Sequence, residues 1–297
     1  MSRRARLLNA WLRRFEKPRL ARAEDPVKLR RQMELSARIF LRAPRGTRFD
    51  RIDLSGIEAV QAVPRRHSGG PVIFYLHGGG FILGSPHTHR APVAHLAALT
   101  GLRAILTRYR LAPEAPFPAA LEDAMQAYRA LGDPPGGVIL GGDSAGGGLA
   151  LALLARILAE GLRPPLGTFG FSPFTDLTFS GASFTANAKA DPMLPAQRAA
   201  DLARMYLNGA DPRDPRASPL FADFTGAGPV WITAARTEIL LDDARRIADR
   251  LMAQGVDVTC VIEGDLPHAW PMFQGYIPEA RQSMVELAAW ISTLSRL

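Results

Sequence analysis

Residues 139–148 read ILGGDSAGGG, one hydroxyl among five glycines, set between a short apolar run and a long helical one. The run GVILGG (137–142) reads as a buried strand and the residues from Ser144 to about Glu160 as a helix, so Ser144 stands at a sharp strand-to-helix turn. Such a turn strains the backbone and leaves no room for side chains on either side, which accounts for Gly142 and Gly146. It pushes the hydroxyl outward and leaves the next amides, starting with Ala145, unpaired and facing whatever the hydroxyl attacks. By itself Gly-x-Ser-x-Gly is a weak signal, and a glycine-rich turn before a helix also suits phosphate. Here no lysine follows as a P-loop requires, and the spacing fits Gly-x-Gly-x-x-Gly poorly.

On both sides of this turn the chain alternates strands with helices. Strands are expected at 49–56, 57–64, 71–76, 103–109, 137–142, 166–172, 229–235 and 257–264. Helices are expected near 90–100, 118–131, 144–160, 195–207, 240–254 and from about 278. The first two strands share a glycine turn and read as an antiparallel start; the remainder, joined by crossover helices, predicts a mostly parallel sheet with helices on both faces. Two pieces fall outside this rhythm, residues 1–45 and the Pro-, Gly- and Asp-rich stretch 173–227. Both are expected to form one helical cap over the carboxyl edge of the sheet, where open α/β folds bind ligands. The catalytic α/β domain then comprises 46–172 and 228–297.

A serine hydroxyl needs a base within hydrogen-bond reach, itself oriented by a third group. Of six histidines, only His268 follows Ser144, as the chain order nucleophile, acid, base requires in such a sheet. It lies in GDLPHAW, just after the last strand. The acid is expected after the preceding strand, PVWITAA, where Glu238 is the first candidate. Asp242 and Asp243 are the alternatives, although they read as the first turn of a helix, where carboxylates favour the dipole anyway. The second glycine cluster, HGGGF (77–81), follows strand 71–76 directly. Its glycines, Gly78, Gly79 and Gly80, let backbone amides turn inward and complete an oxyanion hole with Ala145. One such donor is typically worth about 10²–10³ in turnover. His87 and His89 read as polar loop residues, Tyr109 and Arg110 as strand-end architecture, and Asp191-Pro192-Met193 as part of the cavity entrance.

Composition sets the outer bounds. The chain has 297 residues, 47% hydrophobic and 22% charged, ordinary for a globular protein with a sizeable core. Its one cysteine, Cys260, excludes an internal disulfide and reads as a small buried hydrophobe in a strand. No apolar run approaches the roughly 18 residues that span a bilayer, and no secretory h-region opens the chain, so a cytoplasmic protein without a membrane span is expected. The net charge of +8 is a property of one end: residues 1–51 hold 14 Arg and 2 Lys against 5 acidic side chains, and the remainder sums to −3. There Leu7, Leu8, Trp11, Leu12 and Phe15 fall at helical spacing, which reads as a lid helix with a solvated basic back; a membrane-surface or nucleic-acid contact is the lesser alternative, and no nucleic-acid partner is expected.

HGGGF, YRLAPEAPFPAALED (109–123), GDSAGG, SPFTDLT (172–178) and PHAW together resemble the bacterial hormone-sensitive-lipase-like esterases, an α/β-hydrolase family. The resemblance implies a central sheet of about eight strands with a helical cap, a triad of Ser144, Glu238 and His268, and an oxyanion hole from Gly79, Gly80 and Ala145, with Gly78 as a further candidate. It also implies a carboxylesterase acting on short- to medium-chain acyl esters through an acyl-enzyme, with no metal or organic cofactor and, as in many relatives, a homodimer. Members often carry Asp-Pro-Leu where this chain has Glu238-Ile239-Leu240. Lactone, amide or N-acetyl hydrolysis on the same residues is the nearest alternative, and a non-catalytic small-molecule receptor a remote one.

Overall fold

The computed structural model describes residues 1–294. Its N-terminal segment is helical: α1 (Arg3–Trp11) runs through one π-helical turn (Leu12–Glu16) into α2 (Lys17–Arg22), and α3 (Pro26–Phe40) follows. Asp25 caps α3, accepting from the amides of Val27 and Lys28, and Pro26 supplies the pre-set φ of a first helical residue.

Eight strands then form one sheet: β1 (Arg48–Leu54), β2 (Ile57–Val63), β3 (Val72–Leu76), β4 (Ala104–Thr107), β5 (Val138–Asp143), β6 (Gly167–Phe171), β7 (Val230–Ala235) and β8 (Val258–Glu263), in the order β1-β2-β4-β3-β5-β6-β7-β8. β1 and β2 make an antiparallel hairpin and β2 pairs antiparallel with β4; every later pair is parallel. The crossovers are α4 (Pro86–Thr100), α5 (Ala119–Ala130), α6 (Ala145–Ala159), α7 (Ala182–Ala186), α8 (Ala199–Leu207), α9 (Leu241–Ala253) and the closing α10 (Pro278–Leu294).

The period-2 alternation of strand side chains sorts the core into two layers. From β3, Phe74 and Leu76 join Leu140, Leu149 and Leu153 on the side of α5, α6 and α9, whereas Ile73 and Tyr75 join Leu287 and Ile291 on the side of α4 and α10. Each of these side chains is buried, at about 1.5–3 kcal/mol apiece relative to exposure. β3 and β5 are covered on both faces, as their unbroken apolar runs require.

All eight expected strands form within a few residues of their expected limits. Helix α4 begins earlier than expected, because Ser85 and Thr88 close a capping box over its first turn, which opens at Pro86. His87 and His89 are therefore helical rather than loop residues, and His89 is buried. Cys260 is exposed rather than buried: β8 is the edge strand, so its cover is incomplete. The N-terminal stripe also divides. Ala5, Asn9 and Leu12 turn inward, while Leu7, Trp11 and Phe15 remain exposed. Within 173–227, the 3-10 turn Pro219–Phe221 packs on α6 and α9, away from the residues of α8 that reach the carboxyl edge of the sheet.

Candidate active site

Ser144 lies between β5 and α6 with φ 53° and ψ −125°, in a region that costs an ordinary residue on the order of 1–3 kcal/mol. The surroundings over-determine it. Its amide donates to the Phe171 carbonyl (2.8 Å), and its own carbonyl accepts from Gly148 (3.0 Å) and Phe174 (2.9 Å). A Cβ on Gly142 would stand 2.4 Å from the Gly146 carbonyl oxygen, and one on Gly146 would stand 2.1 Å from that of Leu76, so only glycine fits either place. Ala145 is the first residue of α6, whose opening amides have no partner within the helix.

Parallel pairing of β5, β6, β7 and β8 brings the loops after β7 and β8 to the same sheet edge. Glu238 and His268 meet there, with 2.6 Å between Glu238 Oε2 and His268 Nδ1, both side chains buried. Glu238 Oε1 accepts from the Ala235 amide (2.6 Å) and from Ser172 Oγ (2.8 Å). Ser172 Oγ in turn accepts from the Ala269 amide (3.0 Å). His268 Nε2 is buried with no hydrogen-bond partner among the described residues. Burial disfavours the imidazolium, but the Glu238 charge and hydrogen bond, followed by Asp191 and Asp143, outweigh it and raise His268 above its ordinary value. Burial raises the Glu238 carboxyl despite the pull of His268.

Asp242 and Asp243 point to other work. Asp242 accepts from the Ser183 amide (2.8 Å), and Asp243 from those of Thr175 (2.7 Å) and Asp176 (2.9 Å). The Glu238 loop is held from outside by two residues of the irregular stretch: Asn187 Nδ2 donates to the Glu238 carbonyl (2.8 Å), and Asp191 Oδ2 accepts from Ile239 (3.0 Å). Asp191, expected at the cavity entrance, is fully buried, and its carbonyl accepts from Lys17 Nζ (2.7 Å), which ties α2 to this loop.

The glycine loop approaches Ser144 from β3. Gly79 and Gly80 adopt φ +124° and +62°, and a Cβ on Gly79 would stand 2.3 Å from the Leu83 carbonyl oxygen. Gly78 departs from its expected role. Its amide donates to Asp143 Oδ1 (3.0 Å), so it is engaged within the protein and is no free oxyanion donor. Asp143 also accepts from Tyr75 (2.8 Å) and lies 3.4 Å from His89 Nε2. Burial pushes its carboxyl up, but His89, Tyr75 and the Gly78 amide together hold it below the usual value. His77 stacks on Tyr109 at 4.2 Å, and burial drives it down to about 3, so it is neutral. Ser172, Asp143, His89 and Asp191 were not assigned such contacts by sequence reasoning. Asp143 alone carried a local signal, an acid immediately before the serine at a helix N-terminus.

Ser144, His268, Gly79 and Gly80 line one cavity of about 660 Å³ with Asp143 and His89. The other walls are mainly apolar, Leu8, Trp11, Leu20, Met33 and Phe40 coming from α1–α3 and Phe179, Met193 and Leu202 from 173–227, with Glu16 and Arg198 among them.

The profile of the alpha/beta hydrolase fold family matches residues 73–272. An esterase of Acinetobacter venetianus is 34% identical over 97% of this chain and 94% of its own length. An acetyl-hydrolase of Streptomyces hygroscopicus is 39% identical over 75% of this chain and 76% of its own. A solved esterase from the bacterial hormone-sensitive lipase family superposes with a TM-score of 0.92 at 35% identity, covering 100% of this chain and 98% of that one.

Proposed function

We propose, from the premise that this chain belongs to the hormone-sensitive-lipase-like branch of the alpha/beta hydrolase fold family and is a carboxylic ester hydrolase, that it works through an acyl-enzyme on Ser144. The observation that carries this reading is the Glu238–His268 bond. A carboxylate accepting the Nδ1 proton leaves the Nε2 lone pair as the base, and Nε2 is unpaired beside the cavity that Ser144 lines. His268 takes the Ser144 proton as the hydroxyl attacks the ester carbonyl. The tetrahedral oxyanion is held by the amides of Gly79, Gly80 and Ala145, with Gly78 serving as an anchor of the loop. His268 then protonates the leaving alcohol, and water repeats the cycle on the acyl-enzyme. Glu238 stays ionised and orients the imidazole.

The cap is assigned to residues 1–45 together with the part of 173–227 that reaches the cavity; a cytoplasmic setting fits the single cysteine. The cavity's volume and apolar walls support short- to medium-chain acyl groups. A second reading, removal of acetyl groups, is favoured by the acetyl-hydrolase relative, and rates on p-nitrophenyl esters of rising chain length beside lactones and anilides separate the two. The mechanism itself is tested by mass spectrometry after treatment with an organophosphate or a sulfonyl fluoride. One adduct on Ser144, abolished in His268→Ala, is expected; hydrolysis that persists with Ser144 unlabelled overturns the reading.

A further inference from the structure

The outer face of the N-terminal helices has a composition that neither the core nor the cavity explains. Eight of the twelve exposed large hydrophobic side chains among the described residues lie within 1–40. Leu7, Trp11 and Phe15 succeed one another every fourth residue from α1 into the π turn, with the Trp11 and Phe15 rings 6.1 Å apart. Leu35 and Ile39 repeat the spacing on α3, with Phe40 about 140° round the helix from Leu35. All six are more than half exposed, where burial of such side chains in the protein would have been favourable.

Trp11 of the first row borders the cavity holding Ser144 and His268, whereas Leu35 lines a separate pocket with Arg31 and Arg38. Between the apolar side chains stand cations. At about 100° per residue, Arg3, Arg4 and Arg14 project within about 60° of Leu7, and Arg31 and Arg38 within about 60° of Leu35. None of these five has a carboxylate within ion-pair distance among the described residues, and Arg14 instead lies over the Phe15 ring at 5.5 Å. Residues 1–51 carry a net +11 against −3 for the remainder.

We infer that the face carrying Leu7, Trp11 and Phe15 docks on an anionic phospholipid bilayer surface. Exposed Trp, Phe and Leu among unpaired arginines form the pattern of a helix lying in the interface, with apolar side chains entering the acyl boundary and guanidinium groups at the phosphates. The charge selects the occupant: a neutral surface would offer the arginines nothing, and a second copy of the same face would repel. Docked this way, the cavity mouth opens onto the lipid, so esters partitioned into the bilayer reach Ser144 without crossing water. No helix among the described residues is long and apolar enough to cross a membrane, so the contact is peripheral.

The test is sedimentation of the whole chain with vesicles of phosphatidylcholine alone or with about 30% phosphatidylglycerol, at about 50 mM and about 0.5 M salt. Binding to the anionic vesicles at low salt, lost at high salt and absent on phosphatidylcholine, is expected. Leu7→Ser/Phe15→Ser, neither of which lines the cavity, should weaken it at least about tenfold while hydrolysis of a water-soluble short ester is unchanged. Arg3→Gln/Arg4→Gln/Arg14→Gln should remove the salt dependence. Two results overturn the inference: no sedimentation with anionic vesicles at low salt, or sedimentation that the double serine variant leaves intact, the signature of arginines acting alone on any polyanion. A dimer in ultracentrifugation that the serine variant dissociates, with no vesicle binding by either protein, assigns the face to self-association and overturns it equally. Ester turnover enters only as a control, so the catalytic reading stands or falls separately.

Discussion

Ser172 Oγ stands 2.8 Å from Glu238 Oε1 and 3.0 Å from the Ala269 amide, so one hydroxyl joins the loop after β7 to the residue that follows His268. The bond orients a buried carboxylate and registers the two loops against each other. Hydrogen bonds to a charged group contribute about 1.5–3 kcal/mol. Ser172→Ala is expected to lower kcat about 10- to 100-fold with KM on p-nitrophenyl acetate nearly unchanged. Steady-state kinetics decide it, and a wild-type kcat would show the hydroxyl to be ornamental to turnover.

The Glu238–His268 pair sets the pH dependence. In the proposed mechanism His268 acts as base only when neutral; burial lowers its value, but Glu238 outweighs that and raises it above the ordinary 6.5. Activity therefore disappears as pH falls through that raised value, and the acid limb of kcat/KM lies above 6.5. In Glu238→Gln the raising charge is gone and burial remains, so the limb should move to lower pH while kcat falls on the order of 10³–10⁴. A pH–rate profile in which the limb stays in place would contradict the pairing.

The turn at Ser144 makes a steric prediction. Gly146→Ala would bring a methyl to 2.1 Å from the Leu76 carbonyl oxygen, at the end of β3 paired with β5, and 2.4 Å from that of His77, which accepts from the Tyr109 hydroxyl (2.5 Å). Loss of folded protein, or a Tm lower by many degrees, is expected. Gly264→Ala, whose Cβ would meet nothing within 4 Å, should melt like the wild type and serves as the control. Differential scanning calorimetry compares them.

Leu202 from α8 lies against the glycine loop, its Cδ1 at 3.3 Å from where a Gly80 Cβ would stand, and it lines the cavity. Leu202→Ala enlarges the space beside the proposed oxyanion site. Each methylene newly accommodated is worth about 0.8 kcal/mol, roughly fourfold in kcat/KM. The optimum across p-nitrophenyl acyl esters should shift to longer chains by one or two carbons; an unaltered ranking would place the acyl group elsewhere.

The strand-to-helix rhythm was legible residue by residue because the apolar runs at 71–76 and 137–142 have no polar face to offer water, and the glycines around Ser144 have no alternative in a turn that tight. The proposed order of serine, acid and base along the chain rests on the same topology. Other features were not legible. His89 looked like a loop residue until the Ser85 capping box extended α4 beneath it, and it then faced Asp143, the acid before the serine. Gly78 looked like its two neighbours, but its amide engages Asp143. The N-terminal stripe of Leu7, Leu8, Trp11, Leu12 and Phe15 looked uniform, yet packing buries Leu12, half-buries Leu8 and leaves Leu7, Trp11 and Phe15 outside.

Local chemistry along the chain thus determined the elements, their order and the residue types able to carry the reaction, because strand burial, tight turns and nucleophile strength depend on near neighbours. Only the tertiary structure decided which carboxylate among Glu238, Asp242 and Asp243 meets the imidazole, which amide of the glycine loop is already engaged and which face of a helix stays exposed. Those choices depend on partners dozens to hundreds of residues away, and hydrogen-bond geometry discriminates among them at a scale of tenths of an ångström that no sequence pattern encodes.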